Sequence, residues 1–300
     1  MSTPADPAAP MALEMGAGAV ALPARETLRL FVRNKAAVAG VVLLLGMVFM
    51  TVAGPSLYDQ DPKDIIARPL QAPGEIAEAR LGTDYLGRDV LAGVVSGGTT
   101  SLTVAAMAAA MVVIIGVSIG AFAGYYGGWL DSALMRFTEF FQVLPALLFA
   151  MVLVALFKPS KWTIAFAIGV VAWPGIARIT RAEFLRLRDL EFVRAARALG
   201  ANDWRIMRRV VFPNALPPLI VSATLIMGTA ILFEAGLAFL GLGDPNSSSW
   251  GLMIGLNRGN FLTAWWSVTF PGLAIFVTVL SFSLIGDGLQ DAYNPKLRGR

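Results

Sequence analysis

Six long apolar runs leave this chain few ways to fold. They cover residues 36–53, 101–124, 137–157, 162–179, 216–240 and 268–289, and none holds more than one charge. A helix rises about 1.5 Å per residue, so each run is near the roughly 20 residues that cross a hydrocarbon core of about 30 Å. Only 15% of residues are charged and 56% are hydrophobic, with a mean hydropathy of +0.67. Soluble domains carry about a quarter charged residues. The expected fold is therefore all-α and integral to a membrane, with six transmembrane helices.

The intervening segments complete the expected layout. Residues 1–24, rich in Ala and Pro, read as a disordered tail. Residues 25–54 form a basic amphipathic lead-in and the first span. Residues 55–98 are polar, with seven acids against four bases. A five-helix core at 99–290 contains a polar loop at about 189–214, and 291–300 is a basic tail. Thr51-Val52-Ala53 loosely resembles a signal-peptide cleavage site, but the preceding apolar run is longer than a signal core and starts 35 residues in, so an uncleaved anchor is expected. The second run is rich in Ala and Gly, which predicts close packing inside the bundle.

Residue types exclude much chemistry. The chain has no Cys and no His, which removes disulfides, thiolate or imidazole metal sites, and Ser–His or Cys–His catalysis. There is no GxxxxGK[ST] phosphate loop and no cofactor motif. A pI near 9.6 would suit a nucleic-acid binder, but the basic residues follow the membrane instead. An even number of spans places both ends of the chain on one face. That face receives 17 of the 24 Lys and Arg: four before the first span, one between the second and third, nine between Arg178 and Pro213, and three in the tail. By the positive-inside rule both ends, and the polar loop, are expected to be cytoplasmic.

The loop, DLEFVRAARALGANDWRIMRRVVFPNALPP from Asp189, is the chain's most distinctive stretch. Ala195, Ala196 and Ala198 favour a helix, and Gly200 suits the left-handed position that stops one. Asn202 or Asp203 can cap a second short helix, which Pro213 is expected to end. A small hairpin follows, with a shallow notch where Ala196 and Gly200 share a face. Leu199, Trp204, Ile206 and Met207 are then available to fill a partner's groove. The plainer reading is a basic loop held on anionic lipid.

Several residues within the apolar runs also stand out. If the fifth span is centred on Met227, Glu234 sits about 10 Å from the midplane, inside hydrocarbon. Met227 and Glu234 are candidates for a pore or gate, with a structural pairing as the alternative for Glu234. Glu139, Gln142 and Asp287 lie nearer helix ends. Trp129, Trp162, Trp250, Trp265 and Trp266 are expected in interfacial belts.

Arg194-Ala195-Ala196, Gly200 and Val210-Val211-Phe212-Pro213 keep every spacing of the EAA loop of ABC-transporter membrane subunits, which this segment resembles. Arg194 stands where that motif has Glu. Leu81-Gly82-Thr83-Asp84 and Gly87-Arg88-Asp89-Val90-Leu91 resemble the signature ahead of the second span in peptide-type permeases, and Phe270-Pro271-Gly272 and Gly286-Asp287-Gly288-Leu289 continue the pattern. From about Arg29 to Lys296 the chain is similar to C-type subunits of the dipeptide, oligopeptide and nickel permeases, nearest the dipeptide branch.

The resemblance implies a non-catalytic subunit of a bacterial inner-membrane importer. Its implied partners are a sister permease, two cytoplasmic ATPases and an extracytoplasmic binding protein. Arg194, Ala195, Ala196, Gly200, Asp203, Trp204, Ile206, Met207 and Pro213 would then form the ATPase-coupling surface. Nickel or longer oligopeptides are alternative cargoes, and an ion-coupled transporter is the alternative from another class. A membrane enzyme is disfavoured by the lack of His, Cys and clustered intramembrane acids.

Overall fold

The computed structural model describes residues 24–58 and 60–293. The tail expected at the N-terminus and the basic residues after Tyr293 therefore lie outside the described residues. Among the described residues, five helices are long and apolar enough to cross a membrane. They are α2 (Lys35–Leu57), α3 (Val90–Tyr126), α6 (Lys161–Arg188), the continuous helical stretch Asp203–Leu242, and α11 (Trp266–Tyr293). Ahead of them lies the short amphipathic α1 (Ala24–Arg33), and Asn34 then caps α2 by accepting from the Ala36 and Ala37 amides.

Pro145 predicts a kink or loosening in the third span, and the bend there is sharp: residues 137–157 belong to two helices, α4 (Gly128–Val143) and α5 (Ala146–Phe157), which meet at 86°. The break has a local cause. Pro145 disfavours the α conformation in the residue before it, and Leu144 is extended, with ψ 131. At 12 residues, or about 18 Å, α5 is too short to cross the hydrocarbon alone, so the bent pair makes the sixth span only as a unit.

The core is built on α3 and α6. Gly116, Gly120 and Gly124 place one bare face of α3 against Ile176, Thr180 and Phe184 of α6. A Cβ on Gly124 would lie 2.6 Å from the Arg181 carbonyl oxygen, and one on Gly116 2.9 Å from that of Trp173. The matched residues rise together, so the two helices run parallel. Small residues permit this backbone approach, and van der Waals contact rather than the hydrophobic effect holds helices together within lipid. On the far side, α2 rests on α11 through a second close contact, where Gly40 leaves room for Leu284 and the Ser281 carbonyl.

These contacts sort the bundle into two ends. One end gathers the start of α2, the end of α11, the ends of α3 and α6, and the polar loop. There Asn34 donates to Asp291 at 3.1 Å, and Arg188 Nη1 donates to the Gly124 carbonyl at 3.2 Å. The opposite end gathers residues 60–89 and 243–265. The latter segment contains the helix α10 (Trp250–Asn257), capped by Ser249. A Ser ahead of an apolar run is the signal for it.

Residues 81–91 lock the opposite end. Asp84 accepts from the Leu86 and Arg88 amides and pairs with Arg88 Nε at 2.9 Å, while Asp89 caps α3. Thr83 accepts from the Gln71 amide, and its carbonyl takes the Trp266 indole N–H at 3.1 Å. Tyr58 donates to Asp89 at 2.5 Å, and burial together with that carboxylate pushes its hydroxyl up to about 12. A raised phenol pKa contributes stability that is complete below about pH 10 and lost as pH climbs through about 12.

Gly87 sits at φ +85, and a Cβ there would collide with the Ala67 carbonyl oxygen. Gly87→Ala therefore meets both strain and overlap, with the left-handed conformation alone costing about 1–2 kcal/mol. Tryptic cleavage at Lys63 and Arg80 should accelerate in that variant. Gly74 has the same φ in open space, so Gly74→Ala should show only the smaller effect of strain.

Trp250 and Trp266 are not belt residues. Both are buried, and the Trp250 indole donates to the Val94 carbonyl at 2.8 Å. Trp129, Trp162 and Trp265 are exposed. Sequence cannot separate the two groups, because an indole suits a buried site equally well once its N–H finds an acceptor.

Candidate functional site

The polar loop folds as a protruding helical hairpin. Its first arm is α7 (Glu191–Ala198), and its second begins with α8 (Asp203–Ile206). Gly200 stops α7 at φ +82. The Gly200 amide donates to the Arg197 carbonyl and the Ala201 amide to that of Ala196, the paired bonds of a Schellman cap. Asn202, not Asp203, caps α8, accepting from the Arg205 amide at 2.8 Å.

Pro213 does not end the second arm. A π-helical segment, Met207–Val211, joins α8 to α9 (Phe212–Leu237), so the arm runs unbroken into the membrane. The proline is accommodated inside the continuous helix by the wider π-helical turn just before it, in which the Phe212 amide bonds back to the Met207 carbonyl. The hairpin tip is thus the end of a rod extending to the opposite end of the bundle.

The expected docking residues divide into two sets. Leu199 is 88% exposed and Trp204 56%, and Arg194, Ala195, Gly200, Asp203 and Pro213 are exposed as well. Ile206 and Met207 are not available to a partner groove. They are buried with Val193, Phe184, Leu187 and Val211, and fix the hairpin to the bundle. Nor is there a shared notch, because Ala196 packs toward this cluster while Gly200 lies beyond the helix end. Periodicity gives which residues share a face but not which face turns inward.

Packing, rather than charge, sets the hairpin's posture. Arg197 lies 3.6 Å from Asp203 across the two arms, but both are more than half exposed, and solvent screens such pairs until they contribute little. Burying one Ile or Met side chain is worth about 1.5–3 kcal/mol. Tyr125, at the end of α3, adds directional contacts: it donates to Asp203 at 2.8 Å and receives Arg197 Nη2 at 3.5 Å. The Tyr125 hydrogen bond raises the Arg197 pKa, with Asp203 and Asp189 adding to it. No sequence signal points to Tyr125, because it lies two spans away.

Glu234 is buried at 1% exposure and lines no open surface. Ser101 of α3 donates to its Oε2 at 2.9 Å and accepts the Trp250 backbone N–H at 3.3 Å, so α9, α3 and α10 are clasped together. The pore or gate expectation gives way to its structural alternative here. A carboxylate in a span takes whatever polar partner the bundle offers. Met227 is half-buried on α9. Glu234→Ala should cost about 2–5 kcal/mol through the cavity and the stranded Ser101 hydroxyl. Glu234→Gln keeps an acceptor and should hold its Tm; equal Tm values for the two variants would contradict the clasp.

A multi-pass membrane bundle carrying a polar, Gly-stopped hairpin at one end is the architecture expected of a transporter's membrane subunit. Comparison with known proteins agrees. Residues 116–299 match the binding-protein-dependent transport system inner membrane component family, and residues 23–73 match the N-terminal TM domain of oligopeptide transport permease C. The Escherichia coli (strain K12) dipeptide transport system permease protein DppC is 44% identical over 92% of this chain and 94% of its own. The Pseudomonas aeruginosa di/tripeptide transport system permease protein DppC is 36% identical over 92% and 93%. In fold, the inward-facing MetNI methionine ABC transporter is similar at a TM-score of 0.55 and 18% identity, over 67% of this chain and 96% of that one. The chain belongs to the family of inner membrane components of binding-protein-dependent transport systems.

Proposed function

We propose that this protein is the membrane-spanning subunit of an ATP-driven importer of dipeptides or other short peptides, and that its hairpin is the coupling element. The observation that carries this is the exposed tip, Leu199 to Trp204, on a helix continuous through the bundle. Displacement of the tip would then pass along this helix into the bundle. Nucleotide-driven closure of ATPase subunits around the tip would shift the bundle between two access states, a two-state element biased by ligand.

The hairpin end is assigned to the cytoplasm because it carries most of the basic residues. The opposite end, with its locked 81–91 segment and α10, then faces a binding protein, and a sister permease completes the path. Arg194, Ala195, Gly200, Asp203, Trp204 and Pro213 form the coupling surface, and Ile206 and Met207 hold it in place. Peptide as cargo rests on the relatives' transport systems.

The test is reconstitution with the sister subunit, ATPases and binding protein in proteoliposomes. Uptake of dialanine should require ATP inside the compartment that holds the ATPases. Uptake driven by an ion gradient, with the ATPases absent, would instead identify an ion-coupled transporter.

A further inference from the structure

One polar surface has no place in the coupling scheme. On α4, Thr138, Glu139 and Gln142 share a face, and on the neighbouring α6 so do Gly175, Arg178 and Ala182. Together they border an open groove of about 680 Å³. Arg178 lies ten residues, or about 15 Å, before the end of α6, level with Gly120 of α3. Arg178 is also the penultimate residue of the apolar run 162–179, with further charges at Arg181, Glu183, Arg186 and Arg188 beyond it, so the groove opens at the basic end of the bundle, to water or protein in the assembled transporter.

The charges in the groove are left available. Arg181 next to it is occupied, its Nε and Nη2 on Asp131 at 2.5 and 2.7 Å. Arg178 is held only by Gln142 Oε1 at 3.3 Å, and Glu139 makes no hydrogen bond or ion pair among the described residues. A carboxylate and a guanidinium thus stand exposed on adjacent helices without neutralising each other. One turn before Arg178 on α6, Gly175 leaves that part of the groove wall bare, since a Cβ there would meet nothing within 4 Å. A ligand with an ammonium at one end and a carboxylate at the other satisfies both groups at once, and Arg is suited to bidentate capture of the carboxylate.

We infer that this groove is a subsite for the charged ends of a zwitterionic short peptide, Glu139 taking the ammonium and Arg178 the carboxylate. It rests on the peptide-import reading and adds to it that the membrane subunit contacts the cargo backbone. Recognition through the termini leaves side chains unread, which suits transport of peptides of varied sequence.

The chain has no cysteine, so Gln142→Cys places a single thiol in the groove. In the assembled transporter, saturating dialanine should slow maleimide labelling of that thiol several-fold. N-acetyl-dialanine amide, which lacks both charges, should give no protection at the same concentration. In uptake, Glu139→Gln and Arg178→Gln should each raise the dialanine KM about tenfold, as expected for loss of one charge-assisted contact, with ATPase assembly unchanged. Unprotected labelling together with normal KM values, in a transporter that imports dialanine, would overturn the subsite while leaving the import function standing. Absence of ATP-driven dialanine uptake by the unsubstituted assembly would overturn both.

Discussion

Gly200→Asp is expected to abolish uptake, a loss of more than about tenfold, in a subunit that still inserts and assembles. The fold tolerates the change because a Cβ at Gly200 would meet no atom within 4 Å. Left-handed backbone costs most residues about 1–2 kcal/mol, and Asp and Asn adopt it more readily than others. Function does not tolerate it, because the new carboxylate would stand beside Leu199 on a surface expected to be dehydrated against a partner. Burying an unpaired charge costs several kcal/mol. Gly200→Asn separates the two effects: it has similar shape and backbone cost but no charge, and should retain most uptake. Both variants should keep the Tm of the unsubstituted subunit within a few degrees. Normal uptake by a correctly assembled Asp variant would remove the hairpin from the coupling path.

Gly120→Leu should act in the opposite way, disrupting the bundle rather than its output. A Cβ at Gly120 would overlap the Ala177 carbonyl oxygen and lie 2.6 Å from Thr180 Cβ. A backbone carbonyl cannot rotate aside as a flexible side chain does, so α3 and α6 must separate. Overpacking of this kind costs about 1–3 kcal/mol or more, and here it also forfeits contact along the whole Gly116–Gly124 face. The expected result is a large drop in detergent Tm and a loss of assembled transporter. Gly46→Leu on α2 is the matched control, because its Cβ would meet nothing within 4 Å. Equal Tm values for the two substitutions would show that the α3–α6 contact is not the core of the fold.

How much of the fold is legible beforehand follows from what a sequence encodes. Apolar length is encoded directly, so the membrane class and the five long helices can be read off. Local stop and cap signals are encoded too, so the turn at Gly200 appears where the chain specifies it. Helix rotation is not encoded. Ile206 and Met207 are expected outside and are inside, and Glu234, a pore candidate by depth, is clasped by Ser101 and Trp250. Each depends on partners from spans far away in sequence. Pro145 and Pro213 show the limit within local chemistry. The first breaks a span through 86°, while the second begins a helix that continues. The difference is whether the preceding residue leaves helical geometry, as Leu144 does and Phe212 does not.

The departure at Arg194 also gains physical content. Arg194 is exposed on α7 alongside Arg197, which is engaged by Tyr125 and Asp203. With Val193, Ile206 and Met207 packed into the bundle, Leu199 and Trp204 form an exposed apolar tip, which in the proposed coupling is the main docking surface. Under that proposal, shape and desolvation rather than one charge would carry the contact.

That contact can be measured directly by placing a thiol at Leu199, in a chain that has no cysteine of its own. In the assembled transporter, Leu199→Cys should cross-link to an ATPase subunit, with a yield that changes between nucleotide-free and ATP-bound states. A thiol that forms no such cross-link, and that a water-soluble maleimide labels as fast in the assembly as in the isolated subunit, would contradict coupling through the hairpin.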